Sequence, residues 1–313
     1  NFFITKYLIK FMKKRLVVKI SEGLGNQLFM YANAFSLKEK YQLDLFIDQY
    51  SGYYNKKSVS NFLLNNFNIS SKYALNKYTF ATNKRNLLKK FLLFFDKFTN
   101  QKQFIFETKN PDKSSFFSQI DLKKTKNLCF LDGNFESEKY FVDYRNKILK
   151  EFTLNNIYEF TDNKYLKLIK TKNVVSICIR QNRYSERINN RKDKNSIDKS
   201  HFFLNAQLEY IKDAIKYFKD KIENPIFLVW SNDFSNLDNY FSKEEYIFVI
   251  NKENKILSDF YLLTQCKYFI IAPSTFSWWG AWLSNADDKI CVRPKKLSNS
   301  NNSDFWPDRW MAI

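Results

Sequence analysis

The chain alternates between short apolar runs and longer stretches whose apolar residues have helical spacing. Near the start, the apolar run Leu16–Ile20 precedes a glycine-rich turn, apolar positions at helical spacing to about Tyr41, and a second run at Leu43–Ile47. A strand, a turn, a helix and a second strand in this order form a β/α unit. We therefore predict that the chain begins with a parallel sheet covered by helices.

The C-terminal part repeats this alternation more regularly. It predicts a long helix at about Phe202–Lys219 and a polar loop at Asn182–Ser200, directly after the first strand of this part. Short apolar strands separated by helices are typical of a parallel sheet with both faces covered. The polar segment Thr153–Lys172 separates an N-terminal domain, residues 12–155, from a C-terminal domain, residues 156–313. The predicted strands of the second domain are Val174–Ile179, Ile226–Trp230, Tyr246–Ile250, Tyr268–Ile271 and Lys289–Val292.

The segment Ser258–Leu283 predicts a helix, a strand, a hydroxyl-rich turn and a second helix with three tryptophans. Because helix N-termini present N–H donors and a positive dipole end, such a turn suits an anion. An ordinary Ser/Thr N-cap over a core helix explains the same residues. Pro273 ends the strand. The first helix has apolar spacing that predicts one buried face, formed by Leu257, Phe260, Tyr261 and Thr264.

The composition is strongly basic. The chain has 51 Lys and Arg against 32 Asp and Glu, a formal charge of +19 at pH 7. This charge suits nucleic acid, an anionic membrane surface or an anionic substrate. The many Lys, Asn and Phe residues are also what an AT-rich genome produces, so the charge alone does not select a partner. No run of basic residues is long enough to predict a nucleic-acid-binding arm.

Metal-binding patterns are missing from the sequence. The chain has no C-x-x-C pair, a single histidine and no D-x-D, so neither a Cys/His zinc site nor a carboxylate clamp for a metal–diphosphate pair is predicted. The four widely spaced cysteines are expected to be reduced, mostly buried thiols of a cytosolic protein. They are Cys129, Cys178, Cys266 and Cys291.

A helix predicted at Asn86–Phe98 is apolar with lysines on one side. A surface helix packed on the core explains this pattern, and a basic helix lying on an anionic bilayer explains it too. No apolar stretch approaches the roughly 20 residues needed to span a bilayer. Met12 and the basic residues after it look like a natural start, so residues 1–11 are expected to lie outside the folded body.

Four blocks of the sequence resemble glycosyltransferase family 11, the bacterial α-1,2-fucosyltransferases. The blocks are EGLGNQLFMYANAFSL, LDGNFESEKYFVDYRNKILKEF, SDFYLLTQCKYFIIAPSTFSWWGAWL and FWPDRWMAI. The resemblance spans about Leu16 to the C-terminus. It implies an α/β fold of the GT-B type, with two Rossmann-like domains facing a cleft: the N-terminal domain on the acceptor side and the C-terminal domain binding the nucleotide sugar. It also implies GDP-fucose as the donor, inversion at the sugar and no required metal or other cofactor.

The resemblance assigns roles to individual residues. Arg180 matches the arginine that neutralises the β-phosphate of the donor, and Asp259 stands where related enzymes have a carboxylate that contacts the guanine edge. The strand end at Arg180 and the two turns are expected to meet at the carboxyl edges of the sheets, where a guanidinium beside a helix N-terminus would hold a diphosphate. The other matches are the diphosphate turn, Ser274, Thr275 and Ser277, and the first-strand turn facing fucose and acceptor, Gly23, Gly25 and Asn26.

Two segments depart from the family pattern. Where the family has His-x-Arg-Arg-Gly-Asp-Tyr, this chain has CIRQNRY, residues 178–184. An altered donor or acceptor, reduced activity, and compensation by Arg183 contacting a phosphate are three interpretations that stay open. Glu22 replaces the glycine usual before Gly23. It is a candidate general base, and a surface carboxylate at a turn is the alternative.

We therefore expect an inverting, metal-independent glycosyltransferase, similar to galactoside 2-α-L-fucosyltransferases, that adds fucose to an oligosaccharide or surface polysaccharide. The expected partners are a nucleotide sugar and a glycan acceptor, which a lipid anchor would hold at the inner face of the cytoplasmic membrane; nucleic acid is not expected. A catalytically silent donor-binding protein is the first alternative, suggested by the altered arginine block. A nucleic-acid binder is the second, suggested by charge alone.

Overall fold

The chain divides into two compact units. Unit 1 consists of the described residues of Asn1–Asn155 together with Asn302–Asp304, and unit 2 of those in Asn156–Asn301 and Phe305–Ile313. Residues 302–304, which the sequence placed in the C-terminal domain, thus belong to unit 1. The expectation for residues 1–11 lies outside the described residues. The computed structural model describes residues 13–54, 60–107, 115–186, 188–251, 255–296 and 302–313.

Unit 1 contains a five-stranded sheet whose strand pairs are all parallel, in the order β3-β2-β1-β5-β4. Its first helix, α1, is buried along most of its length, as expected for a helix covered on nearly all sides. The strands are β1 (Arg15–Lys19), β2 (Asp44–Asp48), β3 (Lys72–Tyr73), β4 (Lys102–Phe106) and β5 (Thr125–Asp132), and the α-helices are α1 (Leu24–Tyr41), α2 (Asn83–Asp96) and α3 (Arg145–Glu151).

Unit 2 contains a six-stranded, fully parallel sheet in the order β11-β10-β9-β6-β7-β8. Every residue of the central strand β6 is buried, which explains why all of its residues except Ser176 are apolar. The strands are β6 (Val174–Ile179), β7 (Ile226–Ser231), β8 (Tyr246–Phe248), β9 (Tyr268–Ile270), β10 (Ile290–Arg293) and β11 (Met311–Ala312). The α-helices are α4 (Lys164–Thr171), α5 (Lys194–Lys221), α6 (Lys255–Gln265) and α7 (Thr275–Leu283).

The long helix of unit 2 begins earlier than the sequence predicts. Helix α5 starts at Lys194 instead of about Phe202, so the polar loop ends at Asp193 rather than at Ser200. The Asp193 carboxylate accepts a hydrogen bond from the Ser196 N–H at 3.0 Å and caps the helix. The first turns of α5 are largely exposed and polar, and apolar spacing therefore could not predict them.

Two other helix predictions need correction. The sequence predicts a helix covering roughly Lys139–Phe152. In the structure this segment begins as two 3₁₀ turns, because Phe141 between them is buried with φ −148° and ψ 0°, a non-helical conformation. In α6, only Phe260 of the four residues predicted to form the buried face is fully buried. The buried face is instead rotated towards Asp259, Leu262 and Leu263, because α6 packs closely against α7: a Cβ at Gly280 would lie 2.8 Å from Leu263 Cβ.

All four cysteines are buried and unpaired. In the part of the chain that the structure describes, no helix is long and apolar enough to cross a membrane.

Candidate functional site

The candidate site of unit 2 lies at the carboxyl ends of two neighbouring strands. Strands β6 and β9 pair in parallel, with Ile177 opposite Ile270. The chain leaves β6 at Arg180 and leaves β9 towards the turn at Ser274. Because parallel neighbours end at the same edge of a sheet, the structure brings the Arg180 strand end and the hydroxyl-rich turn to one edge, where open α/β sheets bind ligands.

The backbone of Arg180 is held by a buried side-chain amide. Gln207 on α5 accepts from the Arg180 N–H through Oε1 at 3.0 Å and donates to the Arg180 carbonyl through Nε2 at 2.9 Å. Gln207 is fully buried. Gln207 was not predicted from the sequence, although a glutamine at helical spacing between the apolar Phe203 and Tyr210 is an unusual polar position on a core face.

The Arg180 guanidinium has a negative and a second positive group near it. It forms an ion pair with Glu186, and about a quarter of its side chain is exposed. Burial lowers the pKa of Arg180, Glu186 raises it, and the nearby positive charge of Arg183 lowers it further. With two guanidiniums and one carboxylate, this group of side chains carries a net positive charge and is suited to an anion.

The segment that departs from the family pattern is built into the fold. Gln181 is buried, and its side-chain amide donates to the carbonyls of Asp233 at 2.6 Å and Ser235 at 3.2 Å. Asn182, at the position where the resemblance implies glycine, has φ 55°, a left-handed conformation that asparagine tolerates better than most residues. Burial raises the pKa of the Cys178 thiol to about 12. Gln181 and Asn182 therefore have structural roles, and Cys178 is a buried, neutral thiol.

The hydroxyl-rich turn caps α7. Ser274 Oγ accepts from the Ser277 N–H at 3.3 Å, and the buried Ser277 hydroxyl donates to the Ala272 carbonyl at 2.9 Å. The N-cap interpretation is confirmed, and the hydroxyl of Ser277 serves the turn itself. Ser274 and Thr275 are half-buried. The N–H groups of Thr275 and Phe276 have no partner within the helix, as in every first helical turn, and are the donors that an anion would meet.

Asp259 is a buried carboxylate at the N-terminal half of α6. It accepts from Asn251 Nδ2 at 2.6 Å, and Asn251 in turn accepts from Asn163 Nδ2 at 3.0 Å. Burial raises the pKa of Asp259 to about 6, against the opposing effects of Asn251 and Lys255. A buried carboxyl group with a raised pKa is a candidate functional residue. The two asparagines were not found from the sequence.

The candidate site of unit 1 begins at Glu22, after β1. Glu22 has φ 64°, a left-handed backbone conformation at a position where the resemblance implies glycine. Its carbonyl accepts from Gln27 Nε2 at 2.9 Å and from the Tyr53 hydroxyl at 3.2 Å, and fully buried Gln27 also donates to the Asn61 carbonyl at 2.8 Å. Burial raises the pKa of Tyr53, and the negative charge of Glu22 raises it further. Strain of this kind persists where the surroundings enforce it and is frequent at functional sites.

The glycine turn after Glu22 has open space and an unpartnered acceptor. Gly23 is the N-cap residue of α1. If a Cβ were added to it, the nearest atom outside the neighbouring residues would be Ser60 Oγ, at 4.0 Å. Gly25 is buried. Asn26 Oδ1 is buried and has no hydrogen-bond partner among the described residues. Because an unpaired buried acceptor costs about 1–3 kcal/mol, a donor from a ligand or a water would stabilise it.

These residues belong to two units: the Gly23–Gln27 turn to unit 1, and Arg180, Asp259 and the Ser274 turn to unit 2. That all of them meet in one site stays a prediction. Within the described ranges, no three His, Cys, Asp or Glu side chains are grouped so that they could hold a metal ion.

Comparison with known proteins identifies the family. The family model described as glycosyl transferase family 11 matches residues 5–312. The chain belongs to glycosyl transferase family 11. It is therefore a glycosyltransferase, as the sequence blocks had indicated.

Two relatives of this family 11 member are from Escherichia coli. An α-1,2-colitosyltransferase is 28% identical over 306 residues, covering 95% of this chain and 98% of the relative. The O-antigen biosynthesis glycosyltransferase WbnK is 30% identical over 320 residues, covering 94% and 99%. A solved mutant of Arabidopsis thaliana FUT1 in complex with GDP is 13% identical with a TM-score of 0.51, covering 92% of this chain and 72% of that chain. The predicted α/β fold of the GT-B type, with two Rossmann-like sheets, is confirmed.

The raised pKa of Asp259 predicts a pH-dependent stability. The folded chain holds the Asp259 proton up to about pH 6 and the unfolded chain only to 3.8, so the stabilisation by protonated Asp259 is lost as the pH rises through 6. We expect Asp259→Asn, which cannot ionise, to unfold at higher urea than the original chain at about pH 7.5, by on the order of 1–3 kcal/mol, with the difference shrinking towards about pH 4.

The exposed-site variant Asp213→Asn on α5 is the control for this measurement, because Asp213 is exposed and a loss of charge there should show no such trend. A stability difference for Asp259→Asn that does not vary with pH would contradict burial as the cause of the shift.

Proposed function

We propose that this chain is an inverting, metal-independent α-1,2-fucosyltransferase that moves fucose from GDP-fucose to a hydroxyl of an oligosaccharide or surface-polysaccharide acceptor. The observation that carries the proposal is the group at the β6–β9 edge: Arg180, held by Gln207 and flanked by Arg183, next to the helix N-terminus at Ser274. In a member of glycosyl transferase family 11, a positive group at such an edge is suited to the diphosphate of a nucleotide sugar.

The reaction makes negative charge on the leaving group. The acceptor hydroxyl attacks C1 of the sugar from the face opposite the diphosphate, the bond from C1 to the phosphate oxygen breaks, and the electron pair stays on the β-phosphate. Arg180 and the N–H groups of Thr275 and Phe276 would stabilise that charge. Because Gln207 and Glu186 already fix Arg180, little reorganisation is needed at the moment of reaction. In this proposal unit 2 binds the donor, and Asp259 contacts the guanine base.

Unit 1 would bind the acceptor and the fucose near Gly23, Gly25 and Asn26. The open space at Gly23 would admit a sugar, and a sugar hydroxyl would donate to the unpartnered Asn26 Oδ1. Glu22 is the candidate general base that takes the proton of the attacking hydroxyl. The hydrogen bonds of its carbonyl to Gln27 and Tyr53, which hold a strained backbone, support this role.

A second donor is supported by the relative named α-1,2-colitosyltransferase. Colitose is fucose without its 3-hydroxyl. A site that hydrogen-bonds this hydroxyl would reject colitose by about 10⁴–10⁵, whereas an apolar pocket would discriminate the two sugars weakly. The two donors therefore differ in what the site must provide around the 3-position of the sugar: a hydrogen-bonding group to select fucose, or an apolar lining to accept colitose.

A donor panel tests the proposed function. With a β-galactoside acceptor, we expect release of the nucleoside diphosphate and a new α-1,2-linked product from GDP-fucose, at full rate in excess EDTA because no step needs a metal. UDP-sugars should give no release. Preference for a colitosyl donor would select the second candidate. Donor binding by calorimetry without hydrolysis or transfer would identify a catalytically silent protein, and a strict manganese requirement would contradict the mechanism.

Replacing the arginines tests the diphosphate site. Arg180→Ala should lower kcat/KM by at least about 10²–10³, because the leaving group loses its fixed counter-charge. Arg183→Ala should mainly raise the KM for the donor if Arg183 contacts a phosphate. Steady-state transfer assays measure both, with the exposed Lys212→Ala on α5 as the control for charge. Unchanged transfer by Arg180→Ala at saturating donor would refute the assignment.

Two substitutions of Glu22 separate its backbone from its carboxylate. Glu22→Gly relieves the left-handed conformation and should raise the free energy of unfolding by up to about 1 kcal/mol. Glu22→Gln keeps the left-handed conformation and should not raise the free energy of unfolding. If Glu22 is the general base, both variants lose transfer by about 10²–10⁴ while donor binding is unchanged. Full activity of the more stable Glu22→Gly would make Glu22 a surface carboxylate at a turn.

A further inference from the structure

Helix α2 (Asn83–Asp96) is apolar on two sides. On its inner side, Leu92 and Leu93 pack against the core of unit 1, next to Phe104 and Phe130. On its outer side, large apolar residues are exposed to solvent, with Phe91 60% and the following Phe98 75% exposed. The core therefore accounts for only part of the apolar surface of this helix. The outer residues are Leu87, Leu88, Phe91, Phe94, Phe95 and Phe98.

The outer residues form one continuous stripe. At 100° per residue they cover an arc of about 120° and succeed one another from the second turn of the helix to just beyond its C-terminal end. Their rings touch: the centroids of Phe91 and Phe95 are 4.6 Å apart, and those of Phe94 and Phe98 are 5.3 Å apart. Single exposed hydrophobic residues are common on proteins, but a contiguous apolar patch of this kind marks an interaction surface.

The rest of unit 1 fixes the orientation of this stripe. Asp96, at the end of α2, is buried and accepts from the N–H groups of Gln103 at 2.7 Å and Phe104 at 3.0 Å. Lys89 forms an ion pair with Asp132 at 3.2 Å. These contacts hold the inner side of the helix on the sheet, so the stripe cannot turn inwards without breaking them.

The exposed charged residues of α2 and its C-cap beside the stripe are positive. Lys84, Lys90 and Lys97 are exposed at its end and along one flank, and none of them forms an ion pair among the described residues. The one acidic residue in α2 is Asp96, which is buried and bonded to backbone. The stripe therefore presents aromatic rings with lysines beside them, and this combination is complementary to lipid headgroups of negative charge.

We propose that α2 lies on an anionic lipid bilayer, with the Leu87–Phe98 stripe inserted at the headgroup boundary and Lys84, Lys90 and Lys97 contacting the headgroups. Phenylalanine rings enter the acyl boundary, and each lysine near an anionic surface adds attraction. A second copy of the chain is a poorer occupant, because a symmetric pair would bring the same lysines of both copies together. The proposal is independent of the donor and acceptor assigned above.

Vesicle binding tests the proposal directly. The full chain should co-sediment with vesicles of phosphatidylcholine and phosphatidylglycerol, more weakly with phosphatidylcholine alone, and less in high salt. Phe91→Gln/Phe94→Gln/Phe98→Gln should weaken binding by roughly a hundredfold, because most of the inserted apolar area is lost. Lys90→Glu/Lys97→Glu should weaken it by at least about tenfold. Lys89 is unsuitable for this test because its ion pair with Asp132 holds the helix.

Matched variants on α5 are the controls. Phe202→Gln removes an equally exposed phenylalanine, and Lys212→Glu/Lys216→Glu makes the same change in net charge on an exposed face. Both should bind vesicles as the original chain does, and all variants should keep its urea unfolding midpoint. A shorter chain without residues 1–11, which are also apolar and basic, should keep its vesicle binding.

A fluorescent reporter locates the contact. The six tryptophans of the chain are all buried, so Phe94→Trp adds one exposed ring whose emission should shift to the blue and be quenched by brominated lipid. Phe202→Trp should show neither effect. The proposal is overturned if the triple phenylalanine variant binds vesicles like the original chain, if the original chain binds none, or if sedimentation velocity shows a dimer that this variant abolishes.

Discussion

Parallel strand pairing is the constraint on which the candidate donor site depends. Because β6 and β9 are neighbours with the same direction, the chain must leave both at one edge, and it does so with Arg180 and with the turn that begins α7. Gln207 then fixes the backbone at the end of β6 from the adjacent helix. Neither the arginine nor the capped turn would be a candidate site alone; their common edge makes the pair a candidate ligand-binding site.

Several candidate residues reduce the stability of the fold. Asp259 is buried at the cost of a raised pKa, Glu22 has a left-handed backbone, and Asn26 Oδ1 is buried without a partner among the described residues. Each feature is energetically unfavourable in the free protein. A bound ligand would either reduce that cost or interact with the group concerned. Their occurrence after a strand end and in the N-terminal halves of helices is what a pair of ligand-binding sheet edges would produce.

The segment after β6 shows how a departure from a family pattern can be separated into structural and chemical parts. Gln181 is bonded to the loop after β7, and Asn182 adopts a conformation that suits glycine or asparagine. Both substitutions are therefore accommodated by the backbone. Arg183 is different, because its charge is close enough to affect Arg180, and a change of two charge units at this position alters the field at the candidate diphosphate site.

The sequence by itself determined the alternating strands and helices, the family and most of the residues now found at the strand ends, because apolar spacing and local motifs are properties of neighbouring residues. It did not determine the start of α5, which depends on the Asp193 cap, or the buried face of α6, which depends on its close approach to α7 at Gly280. Tertiary structure also decided that Gln207 is buried against the Arg180 backbone and that the apolar stripe of α2 is exposed. Whether a polar side chain is buried and hydrogen-bonded in the core, or an apolar one is exposed to solvent, depends on which elements pack beside it.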